Sequence, residues 1–457
     1  MSAAPRIGIA PLAGICTIGE AARIGYGVEE NVRRLLRYHW AARRIGQVLL
    51  TRIPATPEWE AKGAFALHQW LDAEHADALR RRISELRHPA PRLDMPPAPE
   101  LESFFAELQA ASDTAELIAG VYGVARTALI DAARTHLSET NPLVDQPTCR
   151  MLRMSLSEQE DAVRWGGAAL TALSIDGATR ARVNAWQEHL LRFLAAAGGL
   201  AGAAPAQAPA PAPAHASHPD LTPRRDARFH GSHDFDFPPH AVYALEHVPA
   251  RERNLALLCK RLLEMDVPEM MASFLVEDVD MPWEHHLAYR RQLWDEARHS
   301  MMGEVAFEAA GIDWTTIPLN VGFSLRLNRH ATARERELLL YAIEQSLMAG
   351  DIGKRHEYDI ALAAGDALSA LFHDYDWADE VVHAQTGRRW LKTSGLLGPD
   401  TLERGRAINE RTWQELDRYR KGDAPPDWWR AFVRRALGEE SAVRVEDIGA
   451  PDIVRGG

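Results

Sequence analysis

Two stretches of the chain repeat one pattern of ionisable residues: Asp295-Glu296-Ala297-Arg298-His299 and Asp379-Glu380-Val381-Val382-His383. On a helix, a Glu and a His three residues apart lie on one face, so a single metal ion can reach both. Two helices carrying Glu-x-x-His, joined by one Glu from each of two further helices, make a site for two metal ions. A carboxylate–imidazole set of this kind suits iron, with manganese as the alternative, better than calcium. The lack of thiolate ligands argues against structural zinc.

Register supplies the remaining carboxylates. A turn near Asp280 folds a helix over 249–278 back on one over 282–310, which sets Glu264 against Glu296, 32 positions away. A turn near 364–366 likewise sets Glu344 against Glu380, 36 positions away. The expected ligands are therefore Glu264, Glu296, His299, Glu344, Glu380 and His383. Glu269 and Glu277 share the helix of Glu264 and compete for its role, and Pro268 is expected to bend that helix and alter its register. Asp295 and Asp379 each lie four residues before a ligand histidine. In a pseudo-symmetric bundle each accepts a hydrogen bond from the histidine of the opposite helix, fixing its metal-binding tautomer. Gly303 and Gly387 stand seven residues after Glu296 and Glu380. They leave either room for a second ligand, oxygen or substrate, or a place for helices to pack closely.

The run Asp379-Glu380-x-x-His383-x-x-x-Gly387-x-Arg389-Trp390 resembles the signature of an uncharacterised bacterial family of ferritin-like proteins. The wider superfamily includes ferritins, rubrerythrins, the radical subunit of ribonucleotide reductase, multicomponent monooxygenases and a tRNA-modifying hydroxylase. The resemblance covers about 240–395, and it implies the same six residues as di-metal ligands. The twin motif is specific for the superfamily and not for a reaction.

Helices must present these groups, and the composition favours helix almost throughout. Ala, Leu, Arg and Glu dominate and β-branched runs are scarce. At 457 residues the chain is long for a single core. Its net charge of −12 argues against a nucleic-acid surface, and no apolar run reaches membrane-spanning length. Cys16, Cys149 and Cys259 are scattered and odd in number, which speaks against a disulfide framework and for a reducing cytoplasm. The Ala-Pro alternation over 198–229 cannot bury a core and reads as an interdomain linker. The expected architecture is thus all-α: two ferritin-like bundles, 28–197 and 230–437, joined by that linker. An N-terminal strap over 1–27 and an irregular tail over 438–457 complete it. Periodicity predicts helices at 28–50, 57–87, 98–137, 147–170 and 177–197, then 249–278, 282–310, 332–364 and 367–393, with shorter ones to about 437.

The halves echo each other, which suggests an internal duplication. Trp70-Leu71-Asp72-Ala73-Glu74-His75 parallels 294–299, and Glu158 to Asp161 parallels Glu380 to His383. The earlier copy has lost ligand chemistry. A set drawn from His39, Asp72, His75, Glu158 and Asp161 could hold one metal, but a polar centre rewired into hydrogen bonds and ion pairs fits the substitutions better. Near the later motifs, His285 and Tyr289 could line a substrate channel, and Tyr341 and Tyr375 could be oxidised, although core packing explains all four. Asp351 and Arg355 continue the Glu344 face and are expected either to form a buried ion pair or to contact an anionic substrate. Trp294, Trp377 and Trp390, among thirteen tryptophans, could exclude water.

The function expected is that of a non-haem di-iron oxidoreductase. Its partners would be oxygen, a small organic substrate, an external electron donor and, for the chain itself, a second copy. The alternatives are a ferroxidase or iron-binding protein with no organic substrate, and a helical interaction module stapled by metal.

Overall fold

Helix is the only regular secondary structure among the described residues of the computed structural model. Those residues are 8–87, 89, 91–203, 209–214, 220–229, 242–319, 321–348, 353–416, 428–444 and 447. None of these helices is long and apolar enough to cross a membrane. The three cysteines are free.

The chain divides into two compact units, and the division is not sequential: Leu49–Trp70 groups with Pro219–Gly457, while Met1–Val48 groups with Leu71–His218. The expected boundary near 198 therefore misses one segment. The end of α2 (Val28–Arg52) and the start of α3 (Trp59–Leu86) belong to the second unit. The reason is visible at Lys62. Its ammonium is fully buried, donates to the carbonyls of Ile53 (2.8 Å) and Pro54 (2.7 Å), and pairs with Glu269.

In the first unit the strap carries a short α1 (Ile18–Ala21) capped by Thr17 and Glu20. Asn141 Nδ2 donates to the Ala21 carbonyl at 2.9 Å. Gly25 has φ +64°, and a Cβ there would lie 2.4 Å from the Asn141 nitrogen, so only glycine fits. The helix expected over 98–137 is interrupted. After α4 (Pro99–Gln109), Asp113 caps α5 (Thr114–Gly120), which widens into a π-helical turn (Val121–Arg126) before α6 (Thr127–Glu139). The Asp113 carboxylate accepts from the Glu116 nitrogen at 2.9 Å, a stop-and-restart signal that helical periodicity hides. Helices α7 (Gln146–Leu173) and α8 (Gly177–Ala196) fall where periodicity predicts.

The described parts of 198–229 do not behave as a bare spacer. Arg37 donates to the carbonyls of Leu200 (2.7 Å) and Gly199 (2.8 Å). Arg228 forks onto Glu60 at 2.7 Å, and Phe229 packs on Trp59 and Trp314. The Arg and Phe residues that follow the Ala-Pro run give this stretch partners that Ala and Pro alone could not.

In the second unit the helix expected over 249–278 is two helices, α9 (Ala250–Leu263) and α10 (Asp266–Glu277). Pro268 has no N–H to offer the Glu264 carbonyl, so the ladder breaks there. Then come α11 (Trp283–Ala309) and α12 (Gly322–His330), the latter not foreseen from the sequence. The span 332–364 holds α13 (Ala333–Leu347) and α14 (Lys354–Ala363). Next is α15 (Ala367–Thr393), which periodicity placed to the residue, followed by α16 (Thr401–Leu416) and α17 (Trp428–Leu437). Leu257, Met271, Phe274, Leu293 and Phe307 are buried between these helices. That apolar packing holds the polar residues considered next in place.

Candidate metal centre

All six expected ligands converge in the second unit, in two sets. Glu296, Glu344, Glu380 and His383 bring one ligand atom each within 4.8 Å of one another, and so do Glu264, His299 and Asp376. The imidazoles face each other with ring centroids 6.0 Å apart. His383 Nδ1 lies 3.2 Å from Glu296 Oε1, 3.5 Å from Glu380 Oε2 and 3.9 Å from Glu344 Oε1. His299 Nδ1 lies 3.3 Å from Asp376 Oδ1, 3.7 Å from Glu296 Oε2 and 3.8 Å from Glu264 Oε2. Glu296 thus reaches both sets, one oxygen to each.

The two outer aspartates differ. His299 Nε2 hydrogen-bonds Asp379 Oδ2 at 3.1 Å, whereas His383 Nε2 lies 3.5 Å from Asp295 Oδ2 without a hydrogen bond, each aspartate being on the opposite helix. Both imidazoles therefore present Nδ1 to the carboxylates and Nε2 to an aspartate. Arg298, an unassigned position in the motif, joins the two aspartates at 2.7 Å each.

Position along the helices missed three further participants. Asp376 lies one turn before Glu380 on the same face and was legible in principle. Lys354, from α14, is buried and reaches Asp376 Oδ2 (2.9 Å) and Glu380 Oε1 (3.0 Å). Arg261, one turn before Glu264, donates to Glu264 Oε2 at 2.9 Å and also pairs with Asp376 and Glu357. The competitors of Glu264 are engaged elsewhere: Glu269 with Lys62 and Arg225, and Glu277 with Arg336.

Burial and mutual charge set the protonation of these groups. Burial works against a charged His299, but Asp376, Asp379 and Glu296 override it and push the imidazole up to about 10. His383 is likewise held well above its ordinary value by Asp295, Glu296 and Glu380. Burial raises Glu344 well above the carboxylate range, helped by Glu380 and Glu296, and pushes Glu264 up to about 7. Burial would raise Glu380 too, yet the Lys354 ammonium and its hydrogen bonds hold it well below.

The arrangement fits a metal. Glu296 Oε1, Glu380 Oε2, His299 Nδ1 and His383 Nδ1 are buried and have no hydrogen-bond partner, although they point at one another. Such orphaned buried polar atoms are costly, and a cation among them would meet the carboxylate oxygens and, once the rings gave up a proton, the imidazole nitrogens.

Two other acid–histidine groups are close enough to consider. Glu357, His373 and Asp376 already hold Lys260, Arg261 and Lys354. Asp278, His285 and Glu337 face Arg334, 3.1 Å from each carboxylate. His285 and Tyr289 are thereby explained as packed residues. They approach Glu337 at 3.3 and 3.1 Å and pack with their rings tilted, centroids 4.7 Å apart, with Trp390 edge-on to His285 at 5.2 Å. Trp294 stacks on Trp70. Tyr375 is 59% exposed and so is no candidate for oxidation near the centre. Arg355 is exposed and pairs with Asp359, and Asp351 lies outside the described residues. Both glycines serve close packing rather than ligand space. A Cβ at 303 would lie 2.9 Å from the Leu262 nitrogen, and one at 387 would lie 2.9 Å from the Tyr341 Cβ.

The first unit carries no comparable group among its described residues. Arg126 forks onto Asp72 at 2.7 and 2.9 Å, with both side chains buried, and donates to Gln159 at 2.6 Å. Gln159 also approaches His75 at 3.0 Å, and His75 pairs with Glu158 at 2.7 Å. Asp161 faces outward to Arg164, and His39 is buried beside neither group. A guanidinium thus stands where the metal reading would need an ion.

No protein-family model, curated protein or solved structure matches this chain.

Proposed function

We propose that the second unit is a ferritin-like metal centre and that the protein is an oxygen-using oxidoreductase acting on a small organic substrate, with iron as the metal and electrons supplied by an external donor. The observation that carries this reading is the doubled relay, in which a carboxylate cluster meets His Nδ1 while the same ring's Nε2 meets an aspartate of the opposite helix. Iron held there would supply the redox chemistry for reaction with oxygen. Glu264, Glu296, Glu344, Glu380, His299 and His383 would hold it, with Asp376 as an added carboxylate. Asp379 and Asp295 keep each ring's proton on Nε2, so Nδ1 offers its lone pair inward. Arg298 holds those aspartates in register, and the apolar packing around α11 and α15 excludes water.

The nearly complete burial of the ligands favours one alternative, a metal that staples the bundle without turnover; a ferroxidase lies between the two. Anaerobic titration of the full chain with Fe(II) tests the common premise. The wild type takes up iron and the His299→Ala/His383→Ala double variant does not; equal uptake by both refutes a centre at these residues. Oxygen consumed by the reduced protein without organic substrate would select the ferroxidase.

A further inference from the structure

The two halves of the centre have the same kinds of ligand but different neighbours. In the His383 half, the oxygens nearest the ring nitrogen are Glu296 Oε1 and Glu380 Oε2, at 3.2 and 3.5 Å, and neither has a hydrogen-bond partner. The third carboxylate, Glu344, accepts from the neutral amide of Gln292, at 3.2 Å through Oε1, and meets no fixed cation among the described residues. Lys354 touches this half through the other oxygen of Glu380.

In the His299 half two of the three facing oxygens are already taken by fixed cations; the third is Glu296 Oε2, 3.7 Å from the ring nitrogen. Glu264 Oε2, 3.8 Å from His299 Nδ1, is the atom that receives Arg261 at 2.9 Å. Asp376 Oδ1, 3.3 Å from His299 Nδ1, is the atom that pairs with Arg261, and Lys354 reaches it at 3.0 Å. Arg261 and Lys354 are both buried, so water does not screen them. A dication entering this half must compete for the same lone pairs and sit beside two positive charges. One entering the His383 half finds vacant lone pairs.

We propose that the centre loads asymmetrically: one divalent ion binds tightly at the His383 position, while Lys354 and Arg261 stand in for the second ion at the His299 position. This rests on the metal reading above and adds an order to it. A second ion enters only by displacing the ammonium from Asp376, so it binds more weakly than the first by about tenfold or more. The resident state is then one metal ion beside a buried lysine ammonium, a different centre from a symmetric pair.

Titration of the full-length protein with Mn(II), with free Mn(II) followed by its paramagnetic resonance signal, tests the order. The wild type is expected to show one tight equivalent and a second that is weaker by about tenfold or more. Lys354→Met, which keeps the length of the side chain and removes its charge, tightens the second equivalent more than the first and so narrows the gap between them. The single histidine variants decide the matter even if Lys354→Met does not fold: His299→Ala keeps the tight ion and His383→Ala loses it. Two equally tight ions in the wild type overturn the asymmetry while leaving the metal centre standing, and so does a tight ion that follows His299 instead of His383. No Mn(II) bound by any form overturns both.

Discussion

Gly303 offers a quantitative test of how tightly the centre's helices are held. A methyl group there would lie 2.9 Å from the Leu262 nitrogen, 3.0 Å from the Leu258 oxygen and 3.1 Å from the Arg261 Cβ. Ordinary contacts are ~3.5 Å or more, so α9 and α11 would have to part by roughly half an ångström. Two of the three atoms are backbone and cannot rotate away. Overpacking of this kind costs about 1–3 kcal/mol, while Gly→Ala in a helix returns about 1 kcal/mol of propensity. Gly303→Ala should therefore destabilise by up to about 2 kcal/mol. Gly167 is the control: it lies mid-helix in α7, exposed, with nothing within 4 Å of its would-be Cβ. Gly167→Ala should stabilise by roughly 0.5–1 kcal/mol. Urea denaturation followed by tryptophan fluorescence reads both. Midpoints that move in opposite directions support the packing argument. A Gly303→Ala protein as stable as the wild type would show that α9 yields freely, and a centre defined by contacts of 3 to 4 Å between helices could not then be rigid.

Two further outcomes are expected in the first unit. Arg126→Met strands the buried Asp72 carboxylate and should cost roughly 3–5 kcal/mol, whereas Arg126→Met/Asp72→Leu should recover most of it; equal unfolding midpoints for the two variants would contradict the ion-pair account. Burial, reinforced by the Arg80 and Arg43 guanidinia, lowers His39 to about 3. The folded state then resists a proton that the unfolded chain accepts near 6.5, so stability is full above that pH and is lost as pH falls from 6.5 towards 3. The loss is on the order of 4 kcal/mol, and His39→Leu should flatten that acid limb in stability measured against pH.

What the sequence discloses about this protein is what depends on one helix at a time. The faces bearing Glu296 with His299 and Glu380 with His383 follow from a period of 3.6. The crossing of each aspartate to the opposite histidine follows once those helices are antiparallel. Asp376 was within reach by the same reasoning, since it lies on the Glu380 face. Lys354 and Arg261 were not. Each is an ordinary basic residue in sequence and becomes part of the centre only where α9, α14 and α15 meet. The glycines show the complementary error. Their spacing from the ligands suggested room, but a missing Cβ is equally what two close backbones require, and only the neighbouring helix decides between the two. The capture of Leu49–Trp70 by the second unit depends on Lys62, whose partner Glu269 lies 207 residues away.

The two units meet one electrostatic problem, the burial of carboxylates, with different counter-charges. In the first, the buried Asp72 is matched by Arg126. In the second, Glu264, Glu296, Glu344, Glu380, Asp376, Asp295 and Asp379 outnumber the fixed cations Arg261, Lys354, Arg298 and Arg291 that touch them. Those cations are not spread evenly: Arg261 and Lys354 both meet Asp376 and Arg261 meets Glu264, whereas the His383 half has only the contact of Lys354 with Glu380. On the proposed loading, one dication at the His383 position meets the carboxylate excess there. A second would sit beside Arg261 and Lys354 and leave positive charge in a buried site unless Lys354 withdrew. The uneven placement of the fixed cations and the crowding of the His299 oxygens thus point to the same asymmetry.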